Sequence, residues 1–396
     1  MIAYTNLGGS YMSNESKTRP SRRTVLKLAG VGAGAAMLSR ASRVSADHHA
    51  PELHTRFSRH FGLRVPLASA GMAFVGLTDL TSAVSNAGAL GVYGAAPEPP
   101  PVVATRIQAI RDQTSGPFGI DFIVASSPLG DFTTQDHIDV VAAARVPIVV
   151  FHWNLPTQAW VTQLHAAGAK VFIQTGDVNV ALQGVALGVD GVIAQGRSAG
   201  GHNRNSTIPT LRVVHMMRRA LPREIFILAA GGISDGGSLM RAIRAGADGG
   251  WAGTVFVAAE ESYANDAYKA RLVAAHSPEA TTFTTVFGPE FPGAQQRVLR
   301  NHATANPGAT TPPTIGTTAL FPGVLNVPYT MPLHSAIIPT RDTQGDLDEM
   351  DMPAGTVSVR AVRRVRPAAD IVEDFIAGAH EAIERGDRDD PSIDDD

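Results

Sequence analysis

From residue 65 onward the chain repeats one pattern: a short, mostly apolar run, then a longer stretch whose apolar positions recur at helical spacing. The runs fall at 66–70, 90–93, 118–124, 148–151, 170–174, 191–195, 226–230 and 248–252, eight in all. Continuous apolar runs mark strands buried on both faces. Between them, 78–86, 135–144, 157–167, 179–187 and 211–220 have the pattern of helices with one apolar face. This alternation predicts an α/β fold of parallel strands joined by helical crossovers, and eight units predict a closed (β/α)8 barrel. Gly88, Gly168, Gly188 and Gly246 each stand between a predicted helix and the next apolar run, where a left-handed cap turns the chain back.

After residue 252 the regularity weakens. Residues 277–338 are rich in Pro, Gly and Thr, with the run TTPPT at 310–314, and predict a loop-rich elaboration beside the barrel mouth. Helical pattern returns at 368–385 as a closing helix. The expected organisation is a barrel over 47–276, elaboration and closing helix over 277–385, and a charged, disordered tail over 386–396.

The amino terminus has another character. TRPSRRTVLK (18–27) precedes a mild apolar stretch at 28–38, then Arg40, Arg43 and the small-residue end Val44-Ser45-Ala46. This resembles a twin-arginine export signal, with Arg22 and Arg23 as the pair and cleavage after Ala46. It implies transit through the twin-arginine export machinery to a periplasmic or extracellular destination. The apolar stretch is too short to leave a membrane span in the mature protein. Gly30, Gly32 and Ala35 loosely fit a dinucleotide-binding pattern, but no strand precedes them.

Composition narrows the chemistry. With 396 residues, 44% of them hydrophobic, the chain buries a large core unaided, and a net charge of −3 with 17% charged residues points to no nucleic-acid partner. The absence of cysteine excludes disulfides, thiolate metal sites and a cysteine nucleophile. His48, His49 and His54 lack metal-ligand spacing, so no metal is expected.

Three glycine-rich stretches carry the strongest chemical signal: GRSAGGHN (196–203), AAGGISDGG (229–237) and WAGT (251–254), each just after an apolar run. Gly232 and Gly253 lie about one strand–helix unit apart, at the same end of neighbouring strands. In a barrel this end, after strands 7 and 8, binds phosphate through free backbone N–H groups. His202 closes the first stretch and His152 ends the fourth predicted strand, so both are candidates for acid–base or binding work beside the cradle. The basic run RAVRRVRP (360–367) reads as a solvated surface strand.

Taken together, PLASAGM (66–72), SNAGALG (85–91), FGIDF (118–122), VFHWNLP (150–156), AQGRSAGGH (194–202), AAGGI (229–233), GADGGWAGTVF (246–256), RVLRN (297–301) and AGTVSVRAVRRVRPAADIV (354–372) resemble the nitronate monooxygenase family, FMN-dependent TIM barrels with a helical addition. The resemblance spans roughly residues 61–379. It implies flavin contacts from Met72, Asp121, Gln195 and Gly200, and a phosphate site made by Gly231, Gly232 and the segment Trp251, Ala252, Gly253 and Thr254. It makes His202 the catalytic histidine. The chain departs from the family's usual residues at four places: Gly71 for Pro, Asp121 for Asn, Trp251-Ala252 for Gln-Met, and Thr356 for Gln. Asp121 matters most, because an ionised carboxylate only accepts hydrogen bonds and opposes extra electron density on a flavin. Such a group is protonated, paired or displaced.

The resemblance implies oxidation of alkyl nitronates, or of the parent nitroalkanes, by oxygen to a carbonyl compound and nitrite. His202 would serve as base or would hold the nitronate, with an imidazole pKa already near neutrality. Two rivals share the loops: an FMN-dependent enoyl-thioester reductase using NAD(P)H, and a non-catalytic exported flavin- or ligand-binding protein.

Overall fold

The computed structural model describes residues 53–385 except Leu129 and Asn205, so the proposed export segment at 1–46 and the charged tail at 386–396 lie outside the described residues. Eight strands form one parallel sheet: β1 (Leu67–Ser69), β2 (Gly91–Gly94), β3 (Phe118–Ile123), β4 (Ile148–His152), β5 (Lys170–Thr175), β6 (Gly191–Gln195), β7 (Phe226–Ala230) and β8 (Gly249–Ala252). The strand order is β1-β8-β7-β6-β5-β4-β3-β2. Its two edges meet through Ser69 N–H to Leu90 O and Leu90 N–H to Leu67 O, both 2.9 Å, which closes the sheet into the expected TIM barrel.

Side-chain alternation along each strand divides the core in two. Ala68, Val92, Ile148, Val150, Phe172, Ile193, Leu228 and Trp251 form the cluster inside the barrel. The residues of opposite parity, such as Leu67, Ile120, Val149, Val171, Val192 and Ile227, join the larger cluster that includes the helices' apolar residues. The base is stopped by the helix Arg56–Phe61, whose Phe57 ring meets Phe172 and Phe226 at 6.4 and 6.0 Å. Arg56 and Arg218 both clamp Asp248, at 3.0 and 2.6 Å.

Seven helices follow the first seven strands: α1 (Thr78–Asn86), α2 (Pro100–Gln113), α3 (Gln135–Ala143), α4 (Gln158–Ala166), α5 (Val178–Ala186), α6 (Thr210–Ala220) and α7 (Gly236–Arg244). The closing helix, α8 (Ala368–Glu384), packs against α7 and α1 and takes the eighth place in the ring. It lies so close to α7 that a Cβ on Gly236 would stand 2.0 Å from the Ala379 nitrogen. Among the described residues no helix is long and apolar enough to cross a membrane.

Between β8 and α8 the chain adds more order than its composition suggested. Thr281–Thr284, Gln296–Leu299 and the two residues Gly201–His202 make an antiparallel sheet, and Thr314–Leu320 pairs with Val327–Pro332. Their Thr-rich sequences suit strands, while the surrounding Pro and Gly hide the period-2 signal.

Candidate active site

The alternation that fills the barrel with apolar side chains also builds the site. Near the carboxyl ends of four successive strands an inward residue is polar: Asp121 on β3, one inward position before Ile123, and His152 on β4, Gln174 on β5 and Gln195 on β6, each at the last inward position. All four line one cavity at the carboxyl ends of the strands, about 1020 Å³ counting its open mouth and in the range of small-molecule sites. Trp251 lies in the interior cluster and also lines this cavity, so its indole floors the pocket.

Of the residues expected from the sequence, the cavity gathers Met72, Asp121, His152, Gln195, Gly200, His202, Gly231, Gly232, Trp251, Gly253 and Thr254. Ala252 does not line it; strand parity turns its methyl into the outer core, and its carbonyl accepts from Ala70 N–H at 2.8 Å. Gln174, Tyr268 and Ser358 line the cavity without having been singled out in the sequence. Gln174 had a readable signal, as the polar end of the apolar run KVFIQ. Tyr268 and Ser358 come from the β8–α8 segment, which has no strand period to place them.

One side of the cavity is a backbone cradle. Gly231 and Gly232 adopt φ of 109° and 75°, a region that favours glycine, and a Cβ on Gly232 would meet nothing closer than 3.7 Å. The space above Gly232 is therefore open to a ligand. Gly253 precedes the short helix Thr254–Val257. The Thr254 hydroxyl accepts from Gly355 N–H at 3.0 Å and keeps its own proton to donate to an anion. Gly200 lets the 196–203 loop lie flat on the segment carrying Gly355, since a Cβ there would stand 2.5 Å from the Ala354 carbonyl carbon. Thr356 N–H donates to Ser198 O at 3.1 Å and fixes the same contact. Residues 354–356 thus pack behind the 196–203 loop and hold it against the cradle.

The other side holds two imidazoles. His152 is buried and His202 half-buried, and the Nε2 of each is sealed from solvent without a hydrogen-bond partner. Burial pushes the His202 pKa down to about 4. Burial, then His202 and Arg204, push His152 down to about 3. Both rings are neutral at pH 7, which corrects the expectation of an imidazole poised near neutrality: removing the rings from water disfavours the charged form.

His202 is held mainly through its backbone. Its carbonyl accepts from the Gln195 amide at 2.9 Å, and its ring lies 5.0 Å from Phe291 and 5.9 Å from Trp153. Trp153 occupies the left-handed region at φ 82°, a conformation costing roughly 1–3 kcal/mol in a non-glycine residue. Arg204 donates to its carbonyl at 2.8 Å and helps to hold it there.

Asp121 sits between these two sides. It is 7% exposed, its Oδ1 has no partner, and burial raises its pKa well above the usual carboxylate range. Of the three possibilities open for this residue, burial favours the protonated acid. The structure also links two departures from the family pattern: a Cβ on Gly71 would lie 2.2 Å from the Asp121 Cβ, so Gly71 leaves the space that the acid fills.

The family profile of nitronate monooxygenases matches residues 54–378. A probable nitronate monooxygenase of Staphylococcus aureus is 26% identical over 266 residues, 58% of this chain and 74% of that protein. A second, from Staphylococcus haemolyticus, is 27% identical over 63% of this chain and 78% of its own length. Among solved structures, FabK from Thermotoga maritima superposes with a TM-score of 0.68 at 27% identity, covering 85% of this chain and 99% of that one. Nitroalkane oxidase from Streptomyces ansochromogenes gives 0.67 at 26% identity, covering 83% and 99%.

Proposed function

This chain belongs to the nitronate monooxygenase family, and from that premise we propose that it is an FMN-dependent oxidase of alkyl nitronates, yielding a carbonyl compound and nitrite. The residues fit the cofactor: Gly231, Gly232, Gly253 and Thr254 offer one phosphate cradle, and Met72, Asp121 and Gln195 lie along the cavity beside it. Bound there, the flavin supplies the electron acceptor for the substrate and the route to oxygen.

The observation that carries the reading is a pair of neutral imidazoles, each with an unpartnered Nε2, on two residues that line this cavity. In the tautomer with a proton on Nε2, each presents an N–H donor to an anionic nitronate oxygen, and an arriving anion strengthens that interaction. The same depressed basicity makes either ring a weak base toward a neutral nitroalkane. Protonated Asp121 adds no negative charge that would repel the substrate. Preformed nitronates are therefore the favoured substrates. Export through the twin-arginine route accords with this reading, since that route carries proteins already folded around a cofactor; Arg22 and Arg23 would be its recognised pair.

The test compares preformed nitronate with its parent nitroalkane in wild type and His202→Asn. We expect the nitronate to be the better substrate, and the variant to keep its FMN while losing about 10²–10³-fold in kcat/KM on both substrates, as when one stabilising donor is removed. A selective loss on the nitroalkane would make His202 a general base instead. The likeness to FabK supports the alternative of enoyl-thioester reduction, which NAD(P)H consumption with an enoyl substrate would reveal.

A further inference from the structure

Behind the His202 strand lies a buried acid that the proposed reaction does not use. Asp351 and Gln296 are both fully buried, and the Gln296 Nε2 donates to Asp351 Oδ2 at 2.7 Å. The other oxygen of each group, Asp351 Oδ1 and Gln296 Oε1, is buried with no partner. Two acceptors on groups already joined call for one proton. Placed on Oδ1 and donated to Oε1, it satisfies both in a cyclic acid–amide pair, whereas an ionised carboxylate leaves both orphaned.

The pair sits where it governs His202. Gln296 is the antiparallel partner of His202, Arg297 that of Gly201, and Asn203 N–H donates to Gln295 O at 3.0 Å. The Asp351 segment runs along the same strand: Leu299 N–H donates to Met352 O at 2.8 Å and Ala354 N–H to Arg297 O at 3.2 Å. With the His202 imidazole placed by its backbone and by aromatic contacts, a shift of Gln296 is a shift of the imidazole.

We propose that Asp351, carried as a neutral carboxylic acid in a two-hydrogen-bond pair with Gln296, is a positioning residue for His202. The proposal rests on the reading of His202 as a nitronate-binding group. The titratable groups facing the pair are Glu290, which accepts from Tyr329, Ser335 and Ala336, and Tyr268, whose hydroxyl donates to the Pro353 carbonyl. Glu349, two residues away, pairs with His302. Burial raises the Asp351 pKa to about 8; the Gln296 hydrogen bond works against this and the Glu290 charge with it. The proton is therefore held at neutrality and lost in mildly alkaline solution, where a newly charged carboxylate beside Glu290 loosens the strand.

The experiment uses FMN-loaded wild type, Asp351→Asn and Asp351→Leu, with kcat/KM for a preformed nitronate followed against pH. Infrared difference spectra of wild type against Asp351→Asn are recorded in parallel, without substrate. We expect a protonated-carboxyl band at neutral pH that disappears on the alkaline side together with activity, by at most about tenfold per pH unit for one proton. In Asp351→Asn an amide–amide pair keeps both hydrogen bonds, so the neutral-pH activity is retained and the alkaline fall is gone. Asp351→Leu should lose about 10-fold or more at every pH with FMN still bound. Absence of the protonated band at neutral pH, or an alkaline fall that persists in Asp351→Asn, overturns the proposal. The infrared arm needs no turnover, so a band present in an enzyme inert toward nitronates would sustain the acid–amide pair and count against the functional reading instead.

Discussion

Asp121 and Gly71 show how two residues fifty positions apart in the chain share one space. A methyl on Gly71 would meet the Asp121 Cβ at 2.2 Å, an atom fixed to the backbone that no rotamer change can move away. Gly71→Ala should therefore destabilise the protein by about 1–3 kcal/mol in denaturant unfolding, and adding Asp121→Gly should recover much of the loss. Additive effects would place the two residues in separate environments. The protonation of Asp121 gives a second check. Its folded-state pKa is raised above the unfolded value, so its contribution is full below about pH 4 and is lost as pH rises toward the folded pKa. Asp121→Asn, which cannot ionise, should gain stability relative to wild type as pH rises through this window, read as a diverging unfolding midpoint; parallel pH curves would mean that Asp121 is charged in the fold. The sequence exposed each departure separately, while their contact came from β3 and the β1 loop meeting in space.

At the scale of elements, the eight strands were legible because strands buried on both faces are written as unbroken apolar runs. The glycine loops were legible because left-handed backbone at a strand end leaves few alternatives to glycine. The place of α8 was not: more than a hundred residues separate β8 from the helix that completes the ring, and no periodicity spans that gap. The strand Gln296–Leu299 was hidden likewise, although it pairs with the strand that carries His202. The glycines after β7, in the loop and in the first turn of α7, divide by task. Gly236 serves the contact of α7 with α8, whereas the space over Gly232 is open. Gly232→Asp introduces strain at φ 75° and a carboxylate facing the phosphate, and should weaken FMN binding about 100-fold or more, measured as flavin lost on dialysis. Full retention would locate the cradle elsewhere.

In the folded unit the barrel is stopped at its base by the helix Arg56–Phe61 and walled at its mouth by the segment between β8 and α8. This arrangement leaves a polar cluster, Asp121, His152, Gln174 and Gln195, lining the cavity between an apolar floor and the mouth. Burial disfavours the charged forms of Asp121, His152 and His202, so the charge in the pocket would come chiefly from cofactor and substrate. A pocket of that kind suits an anionic, electron-rich substrate already deprotonated in solution. The most direct test is to mix the purified, flavin-loaded protein with a preformed alkyl nitronate in the absence of oxygen and record its visible absorbance. The yellow flavin band should bleach at once and return when oxygen is admitted, with nitrite formed; a band unchanged by the nitronate but bleached by NADH or NADPH would contradict nitronate oxidation.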